Sequence, residues 1–201
     1  MDFKNWIAAF SMLLVVSFSA CTGGGAKEGD GYFADGNYEK AIGAYDKFLT
    51  NDPKNVKVLY NRGRSYEELG DFANAEKDFL KALESDSKNI QVLMSLSNVY
   101  QKQKNHSAAL LYADYAVEIP GAPAMAYFLK GRALHQLGNT DEALREYSAA
   151  IKMDKDFGQA FYYRGLLKIA TKSKKSGCED LNLALKMNFE AAKEVIEKYC
   201  Q

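Results

Sequence analysis

An excess of either charge is missing from this chain: 26 Lys and Arg stand against 26 Asp and Glu. No global field therefore draws it toward nucleic acid or an anionic surface, and any electrostatic recognition must be local. Histidine occurs only twice, and the three cysteines form neither a C-x-x-C pair nor a Cys/His cluster, which argues against a zinc site or a thioredoxin-like redox centre. A phosphate-cradling glycine loop and a nucleophile motif are absent as well. His106 and His135 lie far apart, and the acidic pairs Glu67-Glu68 and Glu179-Asp180 read as solvated helix faces. No catalytic residue, metal or cofactor is expected. Proline is scarce, at three residues, and the apolar share is 47%, a balance that suits a folded chain of one or two domains better than a disordered one.

The N-terminus carries the longest apolar run. Lys4 supplies a positive charge, Ile7 to Phe18 an apolar stretch of signal-peptide length, and Ser19-Ala20 the small residues that precede a cleavage point. The run is too short for a comfortable permanent membrane span. With Phe18-Ser19-Ala20-Cys21 at its end, the segment resembles the bacterial lipoprotein signal, in which the cysteine after a small residue receives diacylglycerol. That resemblance implies removal of residues 1–20, lipid on Cys21, and a Gly-rich tether over 21–25. Several acyl chains on one cysteine anchor a protein without any spanning helix. An ordinary signal peptide with an incidental cysteine is the alternative.

Beyond Cys21 the chain repeats itself. A shift of 34 residues brings Gly29, Gly63, Ser97, Gly131 and Gly165 into one column, and Ala41, Ala75, Ala109, Ala143 and Gly177 into another. A third holds Phe48, Ala82, Ala116, Ala150 and Ala184. The units run 22–55, 56–89, 90–123, 124–157 and 158–191 without insertion. Small residues at these spacings are what two helices need where their axes cross closely. Asn37, Asp71, Asn105, Asn139 and Ser173 form a column of N-cap residues, and Gly36, Gly70 and Gly138 stand before three of them, so each unit reads as helix, tight turn, helix.

This pattern resembles the tetratricopeptide repeat, most closely in "VLYNRGRSYEELGDFANAEKDFLKALESD" and "AYFLKGRALHQLGNTDEALREYSAAIKMD". The resemblance implies an all-α fold, a right-handed α-solenoid of about five helix-turn-helix repeats. Two departures stand out: glycines replace most of the opening helix in the first unit, and Lys168 takes an aromatic position in the fifth. Terminal repeats are commonly atypical because one face meets water. Residues 190–201 read as a capping helix, with Ala192, Val195, Ile196 and Tyr199 on its apolar face. From "SGCEDLNLAL" onward the chain is similar to the ending of many repeat lipoproteins of Gram-negative envelopes, and that similarity implies a Cys178–Cys200 disulfide. Lipidation of Cys21 would leave an even number of cysteines, in keeping with an oxidising compartment.

The family pattern places the first helix of each unit on a concave side. It assigns Lys57, Tyr60, Arg64, Glu67, Asn98, Gln101, Phe128, Arg132, His135 and Tyr162 to that lining. The aromatics offer flat apolar surface, and Arg64 and Arg132 can hold a carboxylate in a two-pronged bond. The expected function is a non-catalytic scaffold of the bacterial cell envelope, lipid-anchored at an outer-membrane, periplasmic or surface location, with protein or peptide partners and no nucleic acid. A soluble secreted or cytosolic adaptor and, further off, an envelope enzyme are the alternatives.

Overall fold

The computed structural model describes residues 24–200. Among them the elements are all helical: α1 (Gly24–Ala34), α2 (Tyr38–Asn51), α3 (Val56–Glu68), α4 (Phe72–Ser85), α5 (Ile90–Lys102), α6 (His106–Val117), α7 (Ala124–Gln136), α8 (Thr140–Met153), α9 (Gly158–Ala170), α10 (Lys174–Lys186) and α11 (Ala191–Tyr199). Each helix packs on the next. The odd-numbered helices α1 to α9 also touch one another in series and form an inner layer, while α2 to α10 form the outer one. The pairs α1/α2 to α9/α10 follow the 34-residue units, and α11 closes the stack against α10.

The outer helices are amphipathic for the usual reason. In α4, Ala75, Asp78, Phe79 and Ala82 are buried at helical spacing while Lys77, Lys81 and Glu84 are not fully covered. The columns of small residues sit where inner and outer helices cross. A Cβ on Gly29, Gly63 or Gly131 would come within 2.4, 2.6 or 2.8 Å of the rings of Tyr45, Phe79 and Tyr147. In the third unit the ring is replaced by Ala113, and the inner residue is correspondingly larger: Ser97, fully buried, whose hydroxyl donates to the Ala109 carbonyl at 2.9 Å. Volume is thus conserved across each crossing, as a close-packed interior requires. In the fifth unit backbone meets backbone, since a Cβ on Gly165 would lie 2.8 Å from the Gly177 carbonyl oxygen and one on Gly177 would lie 2.7 Å from that of Gly165.

The first unit departs from expectation. Gly24 and Gly25, read from sequence as tether, belong to α1, which has 11 residues against 13 in α3. A Cβ on Gly25 would stand 3.3 Å from the Ala44 carbonyl, so the glycine lets α1 lie close on α2. Tertiary packing here outweighs the poor helix propensity of glycine. Residues 1–23, with Cys21 and the proposed signal, lie outside the described residues.

The N-cap column precedes all five outer helices, yet its side chains work unevenly. Asp71 and Asn105 each accept from a backbone N–H three residues on, at 3.2 Å, whereas Asn37, Asn139 and Ser173 make no such bond. The inner helices α3 and α5 are capped by Asn55 and Asn89, at 3.1 and 3.2 Å, and each Asn is steadied by a carboxylate three residues earlier, Asp52 and Asp86. The recurrence of Asp-x-x-Asn one period apart was the available signal.

Gly36, Gly70 and Gly138 adopt φ of 73°, 77° and 83°, and the same column continues through Lys104 and Lys172 at 62° and 67°. An L-residue in this region is disfavoured by roughly 1–2 kcal/mol, partly offset by the greater unfolded-state freedom of glycine. The double variant Lys104→Gly/Lys172→Gly is therefore expected to gain about 1 kcal/mol, raising the thermal midpoint by roughly 2–4 °C. A scanning-calorimetry midpoint equal to or below that of the parent would contradict this.

At the C-terminus, α11 lays Ala192, Val195 and Ile196 on a cluster containing Phe161, Leu181 and Ala184. Tyr199, expected on that face, is instead 42% exposed, with the Lys198 ammonium 5.1 Å from its ring centre. Cys178 of α10 and Cys200 are joined by a disulfide, with Cα atoms 5.6 Å apart.

Candidate functional site

A groove of about 420 Å³ runs along the inner layer. It is lined by Tyr60, Arg64 and Glu67 of α3, by Gln91, Met94, Ser95 and Asn98 of α5, and by Met125, Phe128, Leu129 and Arg132 of α7, and it ends at Gln159 of α9. These positions recur because residues at i, i+3 or i+4, and i+7 of each inner helix share one face. Tyr60, Arg64, Glu67, Asn98, Phe128 and Arg132 are thereby brought together from the sequence assignment.

Four other assigned residues are placed differently. Lys57 bonds outside the groove to Asp30 at 2.9 Å, and the same carboxylate accepts from Tyr45 at 2.9 Å and Asn61 at 2.7 Å. Burial works against the charge on Asp30, but these bonds outweigh it and hold its carboxyl below the ordinary value. Gln101 is buried, with its carbonyl 2.9 Å from His106 Nδ1. His135 is half-buried, its ring edge-on to Tyr147 with Nδ1 3.4 Å from the phenol oxygen, and burial lowers its pKa. Tyr162 packs on Phe189, ring centres 5.0 Å apart, because the segment leading into α11 covers this end of the inner layer. Phe128 lines the groove floor but is only 1% exposed, enclosed by Tyr147, Phe157 and Tyr163. It supports the groove and offers little surface to a partner.

The charges that remain are unequal. Arg64 is engaged by Glu67 and Glu68, each at 3.3 Å, and donates to the Tyr60 hydroxyl at 3.4 Å. Glu67 also accepts from Asn98. Burial raises its pKa in spite of Asn98 and Arg64, which act in the opposite direction. Arg132 differs: its guanidinium lies 5.4 Å from the Tyr163 ring centre and 6.0 Å from that of Phe128, and among the described residues it has no acidic partner. Met94 and Met125, the latter 40% exposed, supply soft apolar surface beside it. Sequence reasoning missed both methionines, which occupy the columns of Tyr60 and Lys57.

A second set of polar residues was also misread. Asp180, taken as solvated, is buried and accepts from Arg164 at 2.8 and 2.7 Å and from Lys168 at 2.8 Å. The arrangement is periodic. Arg62 meets Asp78 at 2.7 and 2.6 Å and reaches back to Asp46, and Lys130 meets Glu146 at 3.3 Å and Asp114 at 3.1 Å. Arg164 reaches back to Ser148 at 3.0 Å. In each case a cation on an inner helix ties its own outer helix, 16 residues on, to the outer helix of the unit before, 16 residues back. In the third unit the equivalent positions are Leu96 and Tyr112, both part of one apolar cluster. Lys168, the departure noted in the fifth unit, serves this network. Among the described residues no group of three or more His, Cys, Asp or Glu is placed to hold a metal.

Residues 27–90 match a family model described as tetratricopeptide repeat, and residues 131–169 match a TPR repeat model. The human protein O-mannosyl-transferase TMTC1 is 25% identical over 138 residues, which is 67% of this chain, and the chain spans 16% of that protein's length. Among solved structures, MamA is 25% identical with a TM-score of 0.73, covering 82% of this chain and 96% of that one. YrrB, described as a TPR protein with an unusual peptide-binding site, is 25% identical with a TM-score of 0.70, covering 86% and 90%. Helix order, the 34-residue columns and these matches agree that the chain is built of tetratricopeptide repeats.

Proposed function

We propose that this protein is a non-catalytic scaffold that holds a segment of a partner protein in its inner groove while lipid on Cys21 anchors it in a bacterial cell envelope. The observation that carries the binding reading is the groove itself: exposed methionine surface beside an arginine that has no acidic partner among the described residues. The peptide-binding site of YrrB supports it by analogy of fold. The anchoring reading rests on Phe18-Ser19-Ala20-Cys21 at the end of an apolar run, and a Cys178–Cys200 disulfide suits an oxidising compartment.

Crosslinking capture from the membrane fraction tests the groove. The variant Met125→Glu/Arg132→Glu should lose at least about tenfold of the wild-type capture while keeping its helical signal and melting midpoint, since a central contact pair commonly carries most of the binding energy. Arg64 is left intact because a carboxylate there would stand beside Glu67 and Glu68. Equal capture by both chains would move the interaction to another face. Anchoring is tested separately by intact mass and by fluorescence. Trp6 is the only tryptophan, so the processed chain should emit from tyrosine alone, and tryptophan emission from purified native protein would sink the processing proposal.

A further inference from the structure

We infer that the groove selects a partner segment by an internal carboxylate side chain, Asp or Glu, seated on Arg132 and flanked by an apolar residue on Met94 and Met125. This rests on the groove being the binding surface, and it names the chemistry of the occupant. Three charged side chains line the groove, Arg64, Glu67 and Arg132. The first two neutralise one another at 3.3 Å, and Glu68 adds a second anion to Arg64. Among the described residues Arg132 alone of the three has no acidic partner, and its guanidinium carbon lies over the rings of Tyr163 and Phe128, 5.4 and 6.0 Å from their centres. A guanidinium oriented in this way loses little freedom on forming a two-pronged bond to a carboxylate. Arg132 is also only partly exposed, and a less hydrated ion pairs more strongly with an anion.

The position along the groove decides between a side chain and a chain end. The lining continues past Arg132 to Gln159 on α9 and extends the other way to Tyr60 on α3, so a segment can run through. The one other cation lining the groove among the described residues, Arg64 on α3, is already paired. A chain ending on Arg132 would leave the lining beyond it, at Gln159, uncovered. The neighbouring surface is unbranched and polarizable, suited to Leu, Met or Phe without selecting one of them.

The test uses the full chain as isolated and amidated 12-residue peptide pools, each with one fixed residue among random ones. Wild type is expected to favour pools with fixed Asp or Glu over those with fixed Lys by about tenfold, the size expected of one charge-assisted bond. Arg132→Gln should abolish that preference and still retain pools with fixed Leu or Phe, and Arg132→Glu should reverse it toward Lys. Pools with a free C-terminal carboxylate and no acidic side chain should gain nothing. A preference for those pools, or an acidic preference that survives Arg132→Gln in a chain of unchanged melting midpoint, overturns the inference and leaves the groove reading standing. Binding that is indifferent to Met94→Ala/Met125→Ala as well as to Arg132→Gln overturns the groove reading itself.

Discussion

Asp180→Ala should destabilise the last two hairpins by about 3 kcal/mol, the lower end of the cost of breaking a buried pair. The Asp180 side chain is 5% exposed and neutralises two cations, Arg164 and Lys168, whose own side chains are 16% and 24% exposed. Its loss leaves two like charges together in a setting with limited water. Partial exposure of the cations is what keeps the figure from being larger. Calorimetry gives the size of the effect, and hydrogen exchange locates it, with α9, α10 and α11 losing protection before α3 and α4. Uniform protection across the chain would argue against a local role.

The third unit supplies an internal control. Leu96 and Tyr112 occupy the columns of Arg62 and Asp78, so the fold already accepts an apolar pair there. Arg62→Leu and Asp78→Tyr should each cost about 3 kcal/mol alone, while the double variant should fall within about 1.5 kcal/mol of the parent. Asp46, which Arg62 also reaches, is half exposed and loses little. Additive losses in the double variant would mean that the charges themselves, and not their unpaired burial, hold the hairpin. The buried pairs join the two helices of one unit, and only the reach back to Asp46, Asp114 or Ser148 contributes to the interface with the unit before.

The second large effect concerns the cap. Cys200→Ser opens a link between residues 22 apart in sequence, and loop-closure entropy alone puts its contribution at about 3 kcal/mol. A helix of nine residues is marginal by itself, and α11 buries Ala192 fully but Val195 and Ile196 only in part. The expected result is fraying of α11 at temperatures where α3 to α8 remain intact. It should be seen as lost exchange protection over 191–199 and as dye binding to the uncovered Phe161, Leu181 and Ala184 surface. Wild type treated with a reductant should behave alike. Unchanged protection of α11 in the variant would show that packing suffices and the disulfide is dispensable.

Much of the architecture was legible in the chain. The 34-residue phase, the columns of glycine and alanine and the helical spacing of apolar residues each depend on contacts within one hairpin, and they recur because the same crossing is built five times. Position in the repeat likewise brought Tyr60, Arg64, Asn98 and Arg132 to one groove. What the pattern could not say is which of two residues in the same column faces a neighbour. Phe128 and Met94 share the column of Tyr60, yet Phe128 is sealed by rings from α8 and α9 and the segment before α9.

Periodicity alone made this chain a stack of helical hairpins with a capped end, since a repeat is a one-dimensional property that converts directly into packing. It took the folded arrangement to bury Asp180 between two cations, to make Gly24 and Gly25 helical, to turn Lys104 left-handed, and to leave Arg132 without an acidic partner among the described residues while Arg64 has two. Each of those outcomes depends on residues from two or three helices at once. The charge a side chain carries is written at its own position, but whether that charge is satisfied is set by its neighbours across the fold.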